Sequence, residues 1–158
     1  MPRVTPSMAK NTIKRSLRAI VDRELSATEK TAIWNYFSSQ CAYCGKKLSR
    51  GDRDGHIDHL IPTTSGGTNH ISNRVLSCPT CNGDEKREKD WKSFLSRRIV
   101  DPATREARIE KIQSWVHMHS HLKKPIDEEM LELQIKSVCN AFDTAVSALK
   151  NDPLTIPE

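Results

Sequence analysis

Three side chains in the middle of the sequence have the chemical types that hydrolysis of a phosphodiester requires. Asp58 and Asn82 offer a carboxylate and an amide oxygen, which are hard ligands that suit Mg²⁺ or Mn²⁺. His59 offers an imidazole, the usual general base near neutral pH. A divalent cation would stabilise the charge that develops on the phosphate and on the leaving oxygen. The residues therefore favour a hydrolytic metal site, provided that the fold brings Asn82 close to Asp58.

Four cysteines form two matched pairs at the two ends of this segment. Each pair has the C-x2-C spacing that lets both sulfurs reach one ion, and 33 residues separate the pairs: Cys41, Cys44, Cys78 and Cys81. Zinc prefers four tetrahedral ligands, and four thiolates leave no coordination position for water. The pattern predicts a structural zinc ion. By holding the ends of the segment together, this ion would let Asn82 lie near Asp58.

Two disulfides or buried free thiols are the alternative interpretation of the cysteine pairs. The sequence has no run of roughly 18–20 apolar residues and no apolar signal-peptide core near Met1, which predicts a cytoplasmic protein. In a reducing compartment, paired cysteines are more often metal ligands than disulfides. The fifth cysteine, Cys139, lies in an apolar stretch and is expected to be a core residue of the last helix.

The order of these residues resembles the HNH endonuclease signature in its zinc-knuckle form. The resemblance covers about residues 41–95, roughly a third of the chain, and rests on Asp58-His59-x-x-Pro62, Gly66-Gly67, Asn73 and Cys78-x-x-Cys81-Asn82. The third signature position holds Asn82 in place of histidine, which makes the chain an H-N-N variant. The resemblance implies a ββα-metal fold, in which two antiparallel strands with a long loop precede a helix.

The resemblance also implies a role for each signature residue. His59 would act as the general base for water, while Asp58 and Asn82 would hold one divalent ion, Mg²⁺ or Mn²⁺, on the scissile phosphate of double-stranded DNA. Asn73 would orient and polarise His59 and so set its tautomer. The implied activity is that of a restriction-, homing- or phage-type endonuclease, which would be encoded by a bacterium or a phage.

Helices are expected on both sides of this segment. Apolar residues three and four apart predict helices over residues 7–25 and about 127–150, and a capping box at Ser26 opens another that ends near residue 40. Asp101 followed by proline is a typical helix start, and this helix should run to about residue 119.

The elements of the segment itself are expected to be short. Strands are predicted at residues 55–61 and 74–77, and a helix should begin just after Cys81 and run through Leu95. The fold class is thus α+β, a mostly helical chain around a small ββα-metal core with a four-cysteine zinc site. Three domains are expected: a basic helical region (1–40), the nuclease core (41–98) and a C-terminal helical region (99–158).

The charge of the chain is compatible with a polyanionic partner. The formal net charge is +5, and residues 1–25 hold six Lys and Arg against two acids. A basic stripe on the first helix and two cations after the third signature position are candidate DNA contacts: Lys10, Lys14, Arg18, Lys86 and Arg87. An ordinary solvated face is an equally good interpretation of the stripe.

Several alternatives stay open at this point. A non-catalytic zinc ribbon that binds nucleic acid would explain the cysteines and the charge, but not the four signature residues together; an RNA-directed nuclease is a third reading. The apolar seam from Leu131 to Leu149 predicts a packed face or a homodimer interface on the last helix. His56 shares a strand face with Asp58 and is either near the metal or DNA, or simply an exposed strand histidine.

Overall fold

A computed structural model describes residues 5–52, 54–121 and 126–151 of the chain. Its helices and strands follow in chain order, with a π-helix between β2 and α3: α1 (Pro6–Val21), α2 (Ala27–Tyr36), β1 (His56–His59), β2 (Arg74–Ser77), the π-helix (Thr80–Lys86), α3 (Trp91–Arg98), α4 (Pro102–Ser120) and α5 (Glu128–Lys150). Contacts divide the chain into two compact units, one formed by Glu24–Lys124 and the other by Met1–Arg23 with Pro125–Glu158. The α+β class expected from the sequence is confirmed.

The larger unit contains the expected strand pair. β1 and β2 run antiparallel, with Asp58 opposite Val75 and His59 opposite Arg74. The loop between the strands contains two 3₁₀ turns, Thr63–Ser65 and Ile71–Asn73. Two antiparallel strands joined by a long loop and followed by a helix form the ββα arrangement that the resemblance implied.

The helix after the second cysteine pair differs from the expected one. A single helix was predicted to run through Leu95, whereas the π-helix ends at Lys86, the next residue Arg87 has a φ of +47°, and α3 begins anew at Trp91. Asp90 explains the new start, because its side chain accepts a 2.8 Å hydrogen bond from the backbone N–H of Ser93. Such a cap satisfies a backbone donor that a continuous helix would bond internally.

The core of the larger unit lies between α2, the strands and α4. Ile33 and Phe37 are fully buried at the end of α2, and Trp115 of α4 is in ring contact with Phe37. The indole N–H of Trp115 donates to the backbone carbonyls of Ile71 and Arg74, at 3.1 and 2.9 Å. These bonds join α4 directly to the start of β2, so the strand pair has a rigid support.

The smaller unit pairs α1 with α5. Lys10 Nζ lies 2.8 Å from the carboxylate of Asp143, and Arg18 forms ion pairs with Glu128 and Glu132. Two of the three cations in the basic stripe predicted on α1 are thus bonded to acids of α5. They are therefore not available as free DNA contacts.

The buried face of α5 follows the predicted seam only in its first half. Leu131 and Ile135 are buried as expected, but Val138 and Leu149 are 40% and 65% exposed. The half-buried residues that continue the face are Cys139, Phe142 and Val146. The spacing of 4, 4, 3 and 4 residues keeps these side chains on one side of a helix with 3.6 residues per turn. Among the described helices, none combines the length and apolarity needed to cross a membrane.

Candidate functional site

The four paired cysteines come together in one cluster. Their Sγ atoms all lie within 4.8 Å of one another, and the Sγ atoms of Cys44 and Cys78 are 3.8 Å apart. Zn–S bonds of ~2.3 Å in a regular tetrahedron place neighbouring sulfurs about 3.8 Å apart. The donor set and its spacing therefore fit a metal ion such as zinc.

The electrostatics of the cluster also suit a metal. Hydrogen bonds with the side chains of Cys44 and Cys81 lower the pKa of Cys41, while the bond with Cys41 is the main cause that raises the pKa of Cys81. One sulfur is thus stabilised as a thiolate, the form that binds metal. The guanidinium of Arg98 bonds to Cys81, which raises the pKa of Arg98, and it also pairs with Glu85 at 3.2 Å. Its charge offsets that of the thiolates.

The carboxylate of Asp58 is buried and has two partners on the same oxygen. Oδ2 accepts a 2.8 Å hydrogen bond from the hydroxyl of Tyr43, and Nζ of Lys86 lies 3.1 Å from it. Tyr43 belongs to the first cysteine pair and is fully buried. Burial, followed by the charge of Asp58, raises the pKa of Tyr43 well above its usual value, so the hydroxyl remains a donor.

Lys86 faces the interior of the protein. Its side chain is fully buried, and Nζ also donates a 2.7 Å hydrogen bond to the backbone carbonyl of His59. This placement corrects the prediction that Lys86 contacts a phosphate, because its charge is used by Asp58 inside the fold. Arg87 is exposed, and its Nε donates to the carbonyl of Gly83 at 3.0 Å.

Two polar side chains contact the ring of His59. Nε2 lies 3.0 Å from Oδ1 of Asn69 and in closer contact with Nη1 of Arg74, which is also 3.0 Å from Nδ1. Arg74 also donates to Asn69 Oδ1 at 3.0 Å, so the three side chains form one network. Because successive strand residues point to opposite faces, this network lies on the other side of β1 from the Asp58 carboxylate.

Asn73 acts on the backbone beside His59. Its Oδ1 accepts from the N–H of Ile61 at 2.8 Å, and its Nδ2 donates to the carbonyls of Ile61 and Thr68 at 3.0 and 2.9 Å. All three bonds reach backbone atoms of the loop that follows β1. The sequence had suggested that Asn73 polarises the His59 ring, but the ring's bonds described above go to Asn69 and Arg74.

Asn82 lies on the π-helix above the strand face that carries Asp58. Its side-chain nitrogen is 3.2 Å from Nδ1 of His56, two residues before Asp58 on β1. Asn82 and Lys86 are four residues apart and so share a helix face, and their contacts with His56 and Asp58 set that face against the strand. The fold therefore brings the two expected metal ligands, Asp58 and Asn82, to one strand–helix interface.

The segment that contains the cysteine cluster, Asp58, His59 and Asn82 matches a known protein family. Residues 41–88 match the family model for the HNH endonuclease. This segment is an HNH domain. A comparison with curated proteins finds no match for the chain. The HNH family implies nuclease activity in general, and HNH nucleases act on DNA.

Three residues of the HNH domain were missed by the sequence analysis. Tyr43 and Arg74 contact signature residues directly, and Asn69 orients the His59 ring. Arg74 was detectable in principle, because a strand register that pairs residues 56–59 with residues 74–77 places it opposite His59. An aromatic residue inside a cysteine pair was the only signal for Tyr43. Asn69 carried no signal, since its position depends on the path of the loop.

Proposed function

We propose that the HNH domain hydrolyses phosphodiester bonds of double-stranded DNA, with one divalent cation held by Asp58 and Asn82 and with His59 as general base. The observation that best supports this is the interface between β1 and the π-helix. There, a buried carboxylate and an amide side chain face the same space, as the contacts of Asp58 and Asn82 indicate.

The donors at this interface fit a hard divalent cation. Both contacts of Asp58 fall on Oδ2, which leaves Oδ1 available among the described residues. Asn82 adds an amide oxygen, and carboxylate and carbonyl oxygens are the ligands that Mg²⁺ and Mn²⁺ prefer. When bound, such an ion would stabilise charge on the phosphate and on the leaving oxygen.

The surroundings of His59 suit a base of fixed orientation. Asn69 and Arg74 both contact Nε2 of the ring, and Asn73 bonds to the backbone of the loop that follows His59. In this proposal the scissile phosphate lies at the edge of β1, where groups on both faces of the strand can reach it. The imidazole accepts a proton from the attacking water while Arg74 brings a positive charge close to the reacting phosphate.

DNA contacts outside the domain centre are a further part of the proposal. Arg87 and Lys14 are exposed and remain candidates for the phosphate backbone. A single HNH site cuts one strand, so cleavage of both strands would need two sites. We propose a homodimer through α5, where Val138 and Leu149 lie on one face of the helix and are 40% and 65% exposed. Sedimentation of the intact protein would test this point separately.

The test of the proposed activity is cleavage of supercoiled plasmid DNA with Mg²⁺ or Mn²⁺. Wild-type protein should produce nicked or linear DNA with 5′-phosphate and 3′-hydroxyl ends, while the His59→Ala and Asp58→Ala variants should lose at least a hundredfold in rate, in line with the ~10²–10⁴-fold contribution of a general base. His117→Ala, which changes an exposed histidine of α4, is the matched control. Equal nicking by wild type and His59→Ala with every metal tried would refute the proposal.

One observation favours a second candidate, a non-catalytic zinc module that binds nucleic acid. The ammonium of Lys86 already neutralises Asp58 at 3.1 Å, so the buried carboxylate has a partner without any metal. For such a module, DNA binding would persist without cleavage, and the His59→Ala variant would bind DNA as the wild type does.

A further inference from the structure

We infer that His56 is a third protein ligand of the proposed divalent-cation site, which would make the site prefer Mn²⁺ and later first-row ions to Mg²⁺. This inference rests on the proposed function, because it extends the same site. It adds a nitrogen donor to the carboxylate of Asp58 and the amide of Asn82.

The position of His56 on β1 is the first argument. His56 and Asp58 are two residues apart on a strand, so their side chains leave the same face of the sheet. That face lies against the helix face of Asn82 and Lys86. His56 is exposed, so its ring can be reached by an ion from solvent.

The distance between His56 and Asn82 is the second argument. Two atoms that bind one ion at right angles, each at ~2.1 Å, are about 3.0 Å apart. Nδ1 of His56 and Nδ2 of Asn82 are separated by 3.2 Å. Rotation of the amide by half a turn exchanges its nitrogen and oxygen at almost the same positions. The two side chains can therefore change from hydrogen-bond partners to adjacent ligands without a backbone movement.

The charge balance of the site is the third argument. Lys86 lies 3.1 Å from the carboxylate of Asp58, so the pair has no net charge. A hard ion such as Mg²⁺ depends on anionic oxygens, and the charge of this carboxylate is already balanced by Lys86. An imidazole nitrogen raises the affinity for first-row transition ions, in the order Mn²⁺ < Co²⁺ < Ni²⁺. His56 would thus supply affinity that the oxygen donors lack.

Electron spin echo spectroscopy of bound Mn²⁺ tests this assignment without any need for cleavage. The starting protein is the full chain with zinc in the cysteine cluster and with His59→Ala, which removes the imidazole of the residue that follows Asp58. We expect the ¹⁴N modulation of a coordinated imidazole in this protein. It should be lost with His56→Ala in addition and retained with the control His117→Ala. Persistence of the signal without His56 would overturn the inference.

Metal affinities give a second and independent readout. In calorimetric titrations, His56→Ala should weaken binding of Mn²⁺ by roughly tenfold or more, as loss of a group that supports a metal site does, and should change Mg²⁺ binding much less. Equal losses for both ions would contradict a nitrogen ligand. Cleavage by the wild type without a ¹⁴N signal would reject this inference and keep the proposed function. A ¹⁴N signal without cleavage would support this inference and reject the proposed function.

Discussion

The hydroxyl group of Tyr43 donates a 2.8 Å hydrogen bond to Oδ2 of Asp58. Tyr43 stands between Cys41 and Cys44, so the first cysteine pair is one side chain away from the proposed catalytic carboxylate. The ring of Tyr43 is fully buried and packs edge-on against Phe94 at a centroid distance of 5.3 Å. Folding of the cysteine cluster and orientation of Asp58 are therefore physically linked.

Tyr43→Phe should separate this positioning role from a structural one. The change removes the hydroxyl and keeps the ring contact with Phe94, so the free energy of unfolding should fall by only about 0.5–1.5 kcal/mol. Zinc content should stay unchanged, but the Mn²⁺ concentration needed for half-maximal cleavage should rise several-fold because Asp58 loses an orienting bond. Metal activation curves at saturating DNA provide the measurement. A variant that loses stability but keeps the wild-type metal curve would show a purely structural role.

Lys86→Met should destabilise the protein strongly. It leaves Asp58 buried without its cation, and breaking a buried pair in this way costs about 3–5 kcal/mol. Added Mn²⁺ should restore more stability in this variant than in the wild type, because the ion can compensate the unpaired charge of Asp58. Thermal unfolding with and without Mn²⁺ measures both effects.

The double variant Lys86→Met with Asp58→Asn is the control for this interpretation. Removal of both charges should cost less than the sum of the two single changes, since neither ion is then left unpaired. Strict additivity of the two losses would mean that Lys86 and Asp58 do not interact in solution.

Predictions from the sequence agreed with the structure wherever a short-range pattern determines it. The C-x2-C spacing predicted the cysteine cluster. The strand predicted at residues 55–61, next to a segment rich in turn residues, contains β1 (His56–His59). Asp101 followed by proline predicted the start of α4, which begins at Pro102. In each case the cause lies within a few residues of the effect, so no knowledge of packing was needed.

The sequence missed side-chain environments that depend on tertiary contacts. From the sequence alone Lys86 was predicted to be a surface cation, but the packing of the π-helix on β1 buries it. The ion pairs of Lys10 and Arg18 could not be predicted, because their acidic partners on α5 are more than a hundred residues away in the sequence. Arg74 was missed as a partner of His59 because it becomes a neighbour of His59 only through the strand register.

Removal of zinc should unfold the HNH domain and abolish any activity. The cluster joins residues far apart in sequence, so the free energy of metal binding contributes directly to folding. Cys81→Ser, or a strong chelator, should lower the melting temperature and release one zinc per chain. Cys139→Ser is the matched control, because Cys139 lies on α5 outside the cluster. Measurement of zinc release alongside circular dichroism would show whether zinc loss and unfolding coincide. A zinc-free chain that melts at the same temperature as the zinc-bound chain would contradict the prediction.

Asp90 should make the stability of α3 depend on pH in the acid range. Its hydrogen bond from the backbone N–H of Ser93 is the main cause that lowers the pKa of Asp90 in the folded protein. A lowered folded pKa means that the contribution is present above the unfolded pKa and is lost as pH falls through the folded value. Asp90→Ala should cost about 1 kcal/mol at pH 7, and the difference from wild type should shrink toward pH 3. Denaturant unfolding at the two pH values checks this; a difference that is independent of pH would argue against it.

Gly67 should be intolerant of any side chain, although it lies outside the helices and strands. A Cβ atom at this position would lie 1.8 Å from the carbonyl oxygen of Ile61 and 2.8 Å from that of Pro62. The carbonyl of Ile61 cannot easily withdraw, because Nδ2 of Asn73 binds it at 3.0 Å.

Gly67→Ala must therefore displace the loop that follows His59, at a cost of about 1–3 kcal/mol, and cleavage should fall further than stability alone explains. Gly83→Ala is the matched control, since a Cβ there meets no described atom within 4 Å and should be neutral. Melting temperatures and cleavage rates of both variants provide the comparison. If Gly67→Ala cuts DNA at the wild-type rate, the Asn73–Ile61 contact does not control the position of His59.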